Sequence, residues 1–377
     1  MDDDPLAKEV VVVVNPGSTS TKVALYSRRG SVWEQTLRHD PAELRRYEPV
    51  TAQLDLRYDL IRPLILEAIA RDDLTVVGVV GRGGIVRPVA GGTYLVNEAF
   101  LEDARSCRYG DHASNLGTLL ADRLRRELGL DACYTVDPVS VDNMWDKARI
   151  SGHPSIERVC RGHPLNVRST ARRIAGELGR TLEECRFVVD HLGGGISITV
   201  VEGGRIRDVN DALLGMGPFS PNRAGALPLR GVMRLCYAHP EEEVTRIFSS
   251  GSGLTAYLGT ADLREVLQRV DAGDRRAVLV YEAFVYQIAK ETGAALAALR
   301  GRADGIIVTG GIALSPRFVD DLRGYVGTMA PFFVVPGENE MQALAEGTFR
   351  VLDGLEEARD YPDEVSHRRS SFTFPAT

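Results

Sequence analysis

The sequence predicts an α/β protein made of two copies of one domain, each a mixed sheet flanked by helices. A valine-rich strand running into a glycine-serine loop and then into two more strands occurs twice. The first copy is strand 10–14, loop 15–21, strand 22–26, turn 27–30 and strand 31–37. The second is strand 187–190, loop 191–195, strand 196–201, turn 202–205 and strand 206–209. At 377 residues the chain is also too long for one ordinary core and suits two of similar size. Past each hairpin, helix and strand patterns alternate, which calls for a mixed rather than an all-antiparallel sheet.

In order along the chain, the first hairpin is followed by helical spacing over 42–47 and 54–71 and by a buried strand at 76–80 that ends on Gly81-Arg82-Gly83-Gly84. A hairpin-like segment at 92–97 leads into a helix from Glu98, and Asp111-His112-Ala113-Ser114-Asn115 precedes an amphipathic helix to about 128. Residues 137–164 carry Pro138, Pro154 and Pro164 and read as the crossing into the second half, which starts with a helix at 166–178. After the second hairpin come a glycine-proline segment at 214–228, further helices, a strand at 305–309 ending on Gly310-Gly311, a strand at 332–336 and a helix at 340–352. The expected boundaries are 8–165 for the first domain, completed by 340–360, then 166–339 for the second, with 361–377 as a tail.

Composition removes several classes. A net charge of −7 with acids and bases interspersed leaves no basic face for nucleic acid. The aliphatic runs are of strand length, too short for a membrane span, and the acidic start lacks the positive charge of a secretory signal, so a cytoplasmic protein is expected. Five scattered cysteines without C-x-x-C spacing indicate neither a disulfide framework nor a zinc site.

Both loops suit an anion. When a glycine loop closes a hairpin instead of opening a helix, phosphate is held by backbone N–H groups and hydroxyls alone. The first loop offers Asn15, Gly17, the hydroxyls of Ser18, Thr19, Ser20 and Thr21, and then Lys22; the second offers His191 and the run Gly193, Gly194 and Gly195. Arg82 and Arg223, each set among glycines, can grip a carboxylate or phosphate in a bidentate fork. Gly310 and Gly311 end a strand in a shape that lets adenosine lie against backbone, though a plain strand-to-helix turn reads the same way. In Pro336-Gly337-Glu338-Asn339-Glu340 the carboxylates are either favourable first-turn charges or ligands of a hydrated magnesium ion.

On these motifs the chain resembles the butyrate kinases, a branch of the acetate kinase family within the superfamily that also holds sugar kinases, heat-shock 70 and actin. The resemblance runs through Asn15–Lys22, Val80–Gly84, Asp111–Asn115, His191–Gly195, Pro218–Arg223, Ala256–Thr260, Thr309–Gly311 and Pro336–Glu340, in order over nearly the whole chain. It implies two ribonuclease-H-like domains with the active site in the cleft between them, ATP/ADP and Mg2+ as cofactors, a homo-oligomer, and reversible in-line phosphoryl transfer between ATP and butyrate or another short or branched acid, giving the acyl phosphate. Acetate or propionate as acceptor is the nearest alternative. A nucleotide-driven binding module is a more distant one, since such a switch needs the loops but no clamp for an acceptor. By motif, Arg82, His112, Asp137, His191 and Arg223 fall at catalytic positions, Asn15 and Glu340 at the metal, with Glu338 as the other candidate, and Gly310 with Gly311 at the adenosine. The chain departs from the family pattern at Asn222, where a glutamate is usual, and at Pro164 in Gly162-His163-Pro164-Leu165-Asn166.

Overall fold

The computed structural model describes residues 8–361. By packing they form two units: residues 8–142 with 339–361, and residues 143–338.

The first unit is built on a six-stranded sheet of β1 (Glu9–Pro16), β2 (Ser20–Ser27), β3 (Gly30–Arg38), β4 (Thr75–Gly81), β5 (Thr93–Leu95) and β6 (Tyr134–Val136), in the order β3-β2-β1-β4-β6-β5. β1, β2 and β3 form an antiparallel meander, β4 and β6 add parallel to it, and β5 turns back antiparallel on β6. The run Val10–Val14 is fully buried because β1 is central and covered on both faces, so it reads as continuous rather than alternating apolar sequence. The edge strand β3 is polar and largely exposed, which suppresses edge pairing. Helices Leu54–Arg71 and Asn115–Glu127 supply Ile61, Ile65, Leu116, Leu120 and Leu124 to the core against Val10, Val12 and Val14.

The second unit repeats the plan with β7 (Arg186–Leu192), β8 (Ile196–Glu202), β9 (Arg205–Val209), β10 (Gly305–Gly310) and β11 (Phe332–Pro336), in the order β11-β10-β7-β8-β9. Again a three-stranded antiparallel meander is extended by parallel strands on the far side of its first strand. The two sheets therefore share one topology, which establishes the duplication, and β5 is the addition peculiar to the first. Helices Arg275–Ala298 and Pro316–Val326 cover this sheet through Phe284, Ile288, Phe318 and Leu322. No helix among the described residues is long and apolar enough to cross a membrane.

Three boundaries differ from the sequence expectation. The chain passes between units at Asp142–Asn143 and not at 165–166, because the intervening segment bonds to the second sheet. Trp145 N–H donates to Arg207 O at 2.9 Å, and Arg158 pairs with Asp208 at 2.8 Å. The helix expected at 42–47 is a single turn, Pro41–Leu44, capped by Asp40; Pro49 just beyond disfavours helical backbone in the residue before it. Pro164 does not interrupt its helix but opens it, as the first residue of Pro164–Glu177, where the missing N–H costs nothing. Of the expected tail, residues 362–377 lie outside the described residues.

Candidate active site

In the first unit the loop between β1 and β2 is a tight turn in which Gly17 N–H donates to Ser20 O at 2.7 Å. Arg57, from helix Leu54–Arg71, lies fully buried against it. One of its terminal nitrogens donates to the carbonyls of Gly17 and Ser20, both at 2.9 Å, and to Thr21 Oγ1 at 3.1 Å. The other reaches Ser18 O at 3.4 Å and Gln53 Oε1 at 2.8 Å. Burial lowers its pKa to about 10, which leaves it cationic at neutral pH. A single buried cation thus engages the carbonyls of three loop residues. Ser18 and Thr19 are exposed and Ser20 half-buried, but Thr21 is turned inward, with its Oγ1 2.8 Å from His39 Nε2. The expectation of four hydroxyls for an anion is therefore corrected to three, because Thr21 points to the opposite face of the strand and is committed to the core. Lys22 stands directly opposite Asn15 in antiparallel register, so the two share a face.

Glu340, at the start of helix Glu340–Leu352, joins two of the expected site residues. Its Oε2 accepts from Asn15 Nδ2 at 2.9 Å, and its Oε1 pairs with Arg82 Nη1 at 2.7 Å. Arg82 is almost completely buried at the end of β4. The glycine before it is required by packing: a Cβ on Gly81 would stand 2.1 Å from Gly117 O in helix Asn115–Glu127. His112, exposed at the surface, bonds Ser114 Oγ through Nδ1 at 2.7 Å; partial desolvation first, then the Arg82 charge, hold its pKa below the ordinary histidine value, which favours the neutral imidazole at pH 7. Asp137 is buried with left-handed backbone, φ 40°, and accepts from Gly92 N–H at 2.8 Å, which ties it to the loop entering β5.

These residues fit a magnesium ion in part. Among the described residues no three His, Cys, Asp or Glu side chains gather. Magnesium takes few protein carboxylates and keeps several waters, which one carboxylate beside an amide can satisfy. Both oxygens of Glu340 are already engaged, so contact through water fits better than direct ligation. Glu338, the other candidate, lies in the second unit, near His191.

In the second unit His191 is buried in β7, with Nδ1 3.0 Å from Asn166 Oδ1, which also accepts from Thr309 Oγ1 at 3.3 Å. Its Nε2 lies 3.5 Å from Glu338 Oε1. Its ring stacks on that of His163, with centroids 3.8 Å apart and planes at 17°, and His163 Nδ1 lies 3.0 Å from Ser197 Oγ. His163 was not among the expected site residues. Its setting, Gly162-His163-Pro164, reads as a turn before a helix start, and nothing local links it to His191. In the glycine loop, Gly193 N–H donates to Gly195 O at 3.1 Å and Ser220 Oγ donates to Gly194 O at 2.6 Å. Gly195 makes room for Arg223, since a Cβ there would stand 2.1 Å from Arg223 Nη1. That nitrogen donates to Ala212 O at 2.6 Å, while the buried Nε has no hydrogen-bond partner among the described residues. Burial lowers the Arg223 pKa against the opposing pull of Asp211.

A hollow of about 620 Å³ in this unit is lined by Gly193, Gly194, Asn222, Asp262, Arg264 and Gly311, with Ile312 and Leu267 among the apolar groups. It gathers the glycine loop and the strand-end glycine, which stand over a hundred residues apart in sequence. Asn222 Oδ1 is buried on it without a hydrogen-bond partner among the described residues. Asp262 and Arg264, paired at 2.6 Å, were missed by sequence reasoning, because a charged pair beside a helix start reads as an ordinary cap. Gly310 completes the arrangement: its φ of 93° and the 2.3 Å that a Cβ would leave to Leu192 O admit only glycine.

Residues 163–323 match the model of the acetokinase family. The chain is 43% identical over 354 residues to a probable butyrate kinase of Clostridium botulinum, covering 93% of this chain and 99% of that protein. It is 44% identical over 353 residues to probable butyrate kinase 2 of Caldanaerobacter subterraneus, with the same coverage. In fold it is similar to an acetate kinase of Porphyromonas gingivalis, with a TM-score of 0.74 over 91% of this chain and 100% of that one at 18% identity. Relatives this similar over almost their full length place the chain in the acetokinase family, among proteins described as probable butyrate kinases.

Proposed function

We propose that this protein is a carboxylate kinase that transfers the γ-phosphoryl group of ATP in line to the carboxylate of butyrate or a similarly short or branched acid, yielding ADP and the acyl phosphate, and that it runs the reverse reaction with the same residues. The observation that carries the reading is the hollow of about 620 Å³ floored by Gly193, Gly194 and Gly311, a volume and lining suited to a nucleotide, in a chain 43% identical to a probable butyrate kinase.

The chemistry needs no general base. A carboxylate acceptor with a pKa of about 4.3 is already ionised at neutral pH, so one of its oxygens attacks the γ-phosphorus directly while the bond from that phosphorus to the β,γ-bridging oxygen breaks and ADP leaves with the electron pair. The site is accordingly made of cations and donors. We assign Arg223 and His191 to the transferring phosphoryl group, with the His163 ring holding His191 in place. His191 Nδ1 donates to the Asn166 oxygen, so donation from Nε2 to a phosphoryl oxygen as well requires a proton on both ring nitrogens. Arg82 is assigned to the acceptor carboxylate, with Glu340 fixing its orientation and neutral His112 beside it. Gly17, Ser18, Thr19, Ser20 and Lys22 are assigned to the nucleotide phosphates, and Gly310 with Gly311 to the adenosine. Magnesium, when bound with the nucleotide, neutralises charge on the β- and γ-oxygens; Asn15 and Glu340 are the residues that would hold it, through water.

Trapping the acyl phosphate with hydroxylamine tests the reading. With ATP and each straight or branched acid from acetate to valerate, hydroxamate is expected with the largest kcat/KM at butyrate or a branched acid of similar length. No hydroxamate with any of them refutes the carboxylate kinase, and a maximum at acetate or propionate moves the acceptor.

A further inference from the structure

In the turn between β1 and β2 every carbonyl from Gly17 to Ser20 is taken. Arg57 holds the oxygens of Gly17, Ser18 and Ser20, and the Thr19 oxygen accepts from the backbone N–H of His39, just past β3, at 2.9 Å. In a trans peptide the N–H points opposite to the C=O. Capture of the Gly17 and Ser18 oxygens by one guanidinium therefore aims the N–H groups of Ser18 and Thr19 to the other side. Neither N–H has a hydrogen-bond partner among the described residues, and both residues are exposed. Two successive N–H groups presented in this way make a nest for an anion.

His39 holds this turn a second time through its ring. Its Nε2 lies 2.8 Å from Thr21 Oγ1, and both residues are buried. The protons fix the direction of that contact. Arg57 Nη1 donates to Thr21 Oγ1 at 3.1 Å, and among the described residues the Thr21 hydroxyl has no acceptor for its own proton other than His39 Nε2. The hydroxyl therefore donates to Nε2, and His39 is neutral with its proton on Nδ1. The charges facing the ring are Arg57, from helix Leu54–Arg71, and Glu43, from the turn Pro41–Leu44. Burial first, then Arg57, hold the His39 pKa below the ordinary histidine value against the opposing pull of Glu43, which agrees with a neutral ring. A proton on Nε2 would set a second cation against Arg57 and a donor where Thr21 needs an acceptor.

We propose that His39 is a positioning residue for the nucleotide: in its neutral form it completes, with Arg57, the frame that keeps the Ser18 and Thr19 N–H groups aimed at the phosphates, so nucleotide affinity falls as His39 gains a proton. The inference rests on the assignment of this loop to the nucleotide phosphates. Its effect passes through Thr19 and Thr21. Because the folded pKa is lowered, the neutral form is fully present above the ordinary value of about 6.5 and is lost only as pH falls below it.

Titration calorimetry of the full chain with ADP and magnesium tests this. His39→Leu leaves the Thr21 hydroxyl without an acceptor; it is expected to weaken binding about tenfold at neutral pH and to raise KM for ATP by more than it lowers kcat. His39→Gln, whose side-chain oxygen can accept from Thr21 and does not titrate, should recover most of that loss. Between about pH 7.5 and about pH 5.5 the wild type should lose affinity relative to His39→Gln by at least about twofold, a ratio in which the nucleotide's own protonation cancels. His39→Leu should add little once Thr21→Val has removed the hydroxyl, since both changes break one bond. Binding by His39→Leu equal to that of wild type, additive losses in the double variant, or parallel weakening of wild type and His39→Gln in acid each overturns the proposal. The comparison of wild type with His39→Gln decides the matter even where His39→Leu does not fold. A wild type that binds no ADP overturns the nucleotide assignment of the loop as well.

Discussion

The two phosphate-type loops occupy equivalent corners of equivalent sheets, yet they are held by opposite means. The first loop is rich in hydroxyls and gripped by a buried cation: Arg57 takes the carbonyls of Gly17, Ser18 and Ser20. The second, of the same length between its strands, is made of glycine, and it is shaped by what crowds against it. Gly195 gives way to Arg223, Gly194 O accepts from Ser220, and the preceding His191 is wedged between Asn166 and the His163 ring. Duplication conserves the hairpin, and the two copies diverge in which side of the loop is rigidified. One loop presents hydroxyls on a fixed backbone, which suits bound phosphates; the other presents a guanidinium and an imidazole at fixed positions, which suits charge that develops during transfer.

The sharpest way to break this comparison is to remove the charge from the second loop. Arg223→Ala is expected to lower kcat at least about a hundredfold with KM for ATP little changed, the size commonly seen for loss of one positioned donor to a transition state. Gly195→Ala should act through the same guanidinium, because its Cβ would displace Arg223 Nη1. A loss of about tenfold or more is expected, and the double variant should be no slower than Arg223→Ala alone, a non-additivity that a separate structural defect would not produce.

In the first loop the expected signature is different. Arg57→Ala should cost about 3 kcal/mol of stability in urea unfolding, as buried carbonyls lose their partner, and should raise KM for ATP by more than it lowers kcat. Arg57→Lys should recover part of both. If Arg57→Ala leaves KM for ATP unchanged, the loop does not hold the nucleotide.

Asp190, next to His191, carries the smallest expected effect on catalysis. It is fully buried, its Oδ2 accepts from Thr292 Oγ1 at 2.8 Å, and burial raises its pKa to about 7. A carboxyl whose folded pKa lies above its unfolded value of about 3.9 stabilises the fold below that value and loses the contribution as pH rises toward 7. Asp190→Asn should therefore melt near wild type at pH 4 and progressively above it as pH increases, with kcat little affected. A constant difference across that range contradicts a protonated Asp190.

What could be read in the sequence was local. A strand, a glycine loop and a hairpin are encoded within some thirty residues, so the duplication, both loops and the mixed sheets were legible, as were Arg82 and Arg223 by their glycine neighbours. Distant partners were not. Nothing near Arg57 marks it as the support of a loop forty residues away, and nothing near Arg82 announces a pair with Glu340, which ties the residue assigned to the acceptor to the one assigned to the metal. The crossing at Asp142–Asn143 was misplaced for the same reason, since only the bonds of Trp145 and Arg158 to β9 show which sheet that segment joins. Thr21 was counted with its neighbouring hydroxyls because composition does not reveal which face of a strand a side chain takes.

The central claim is that the acid's own carboxylate oxygen attacks the γ-phosphorus of ATP. It is tested most directly with butyrate labelled with oxygen-18 at both carboxyl positions, incubated with ATP and hydroxylamine, and the released phosphate examined by phosphorus NMR. Hydroxylamine cleaves an acyl phosphate at the carbonyl carbon, so direct transfer delivers one oxygen-18 into each phosphate. Unlabelled phosphate, formed in step with ADP, would mean that water and not the carboxylate is the nucleophile, and would contradict the account.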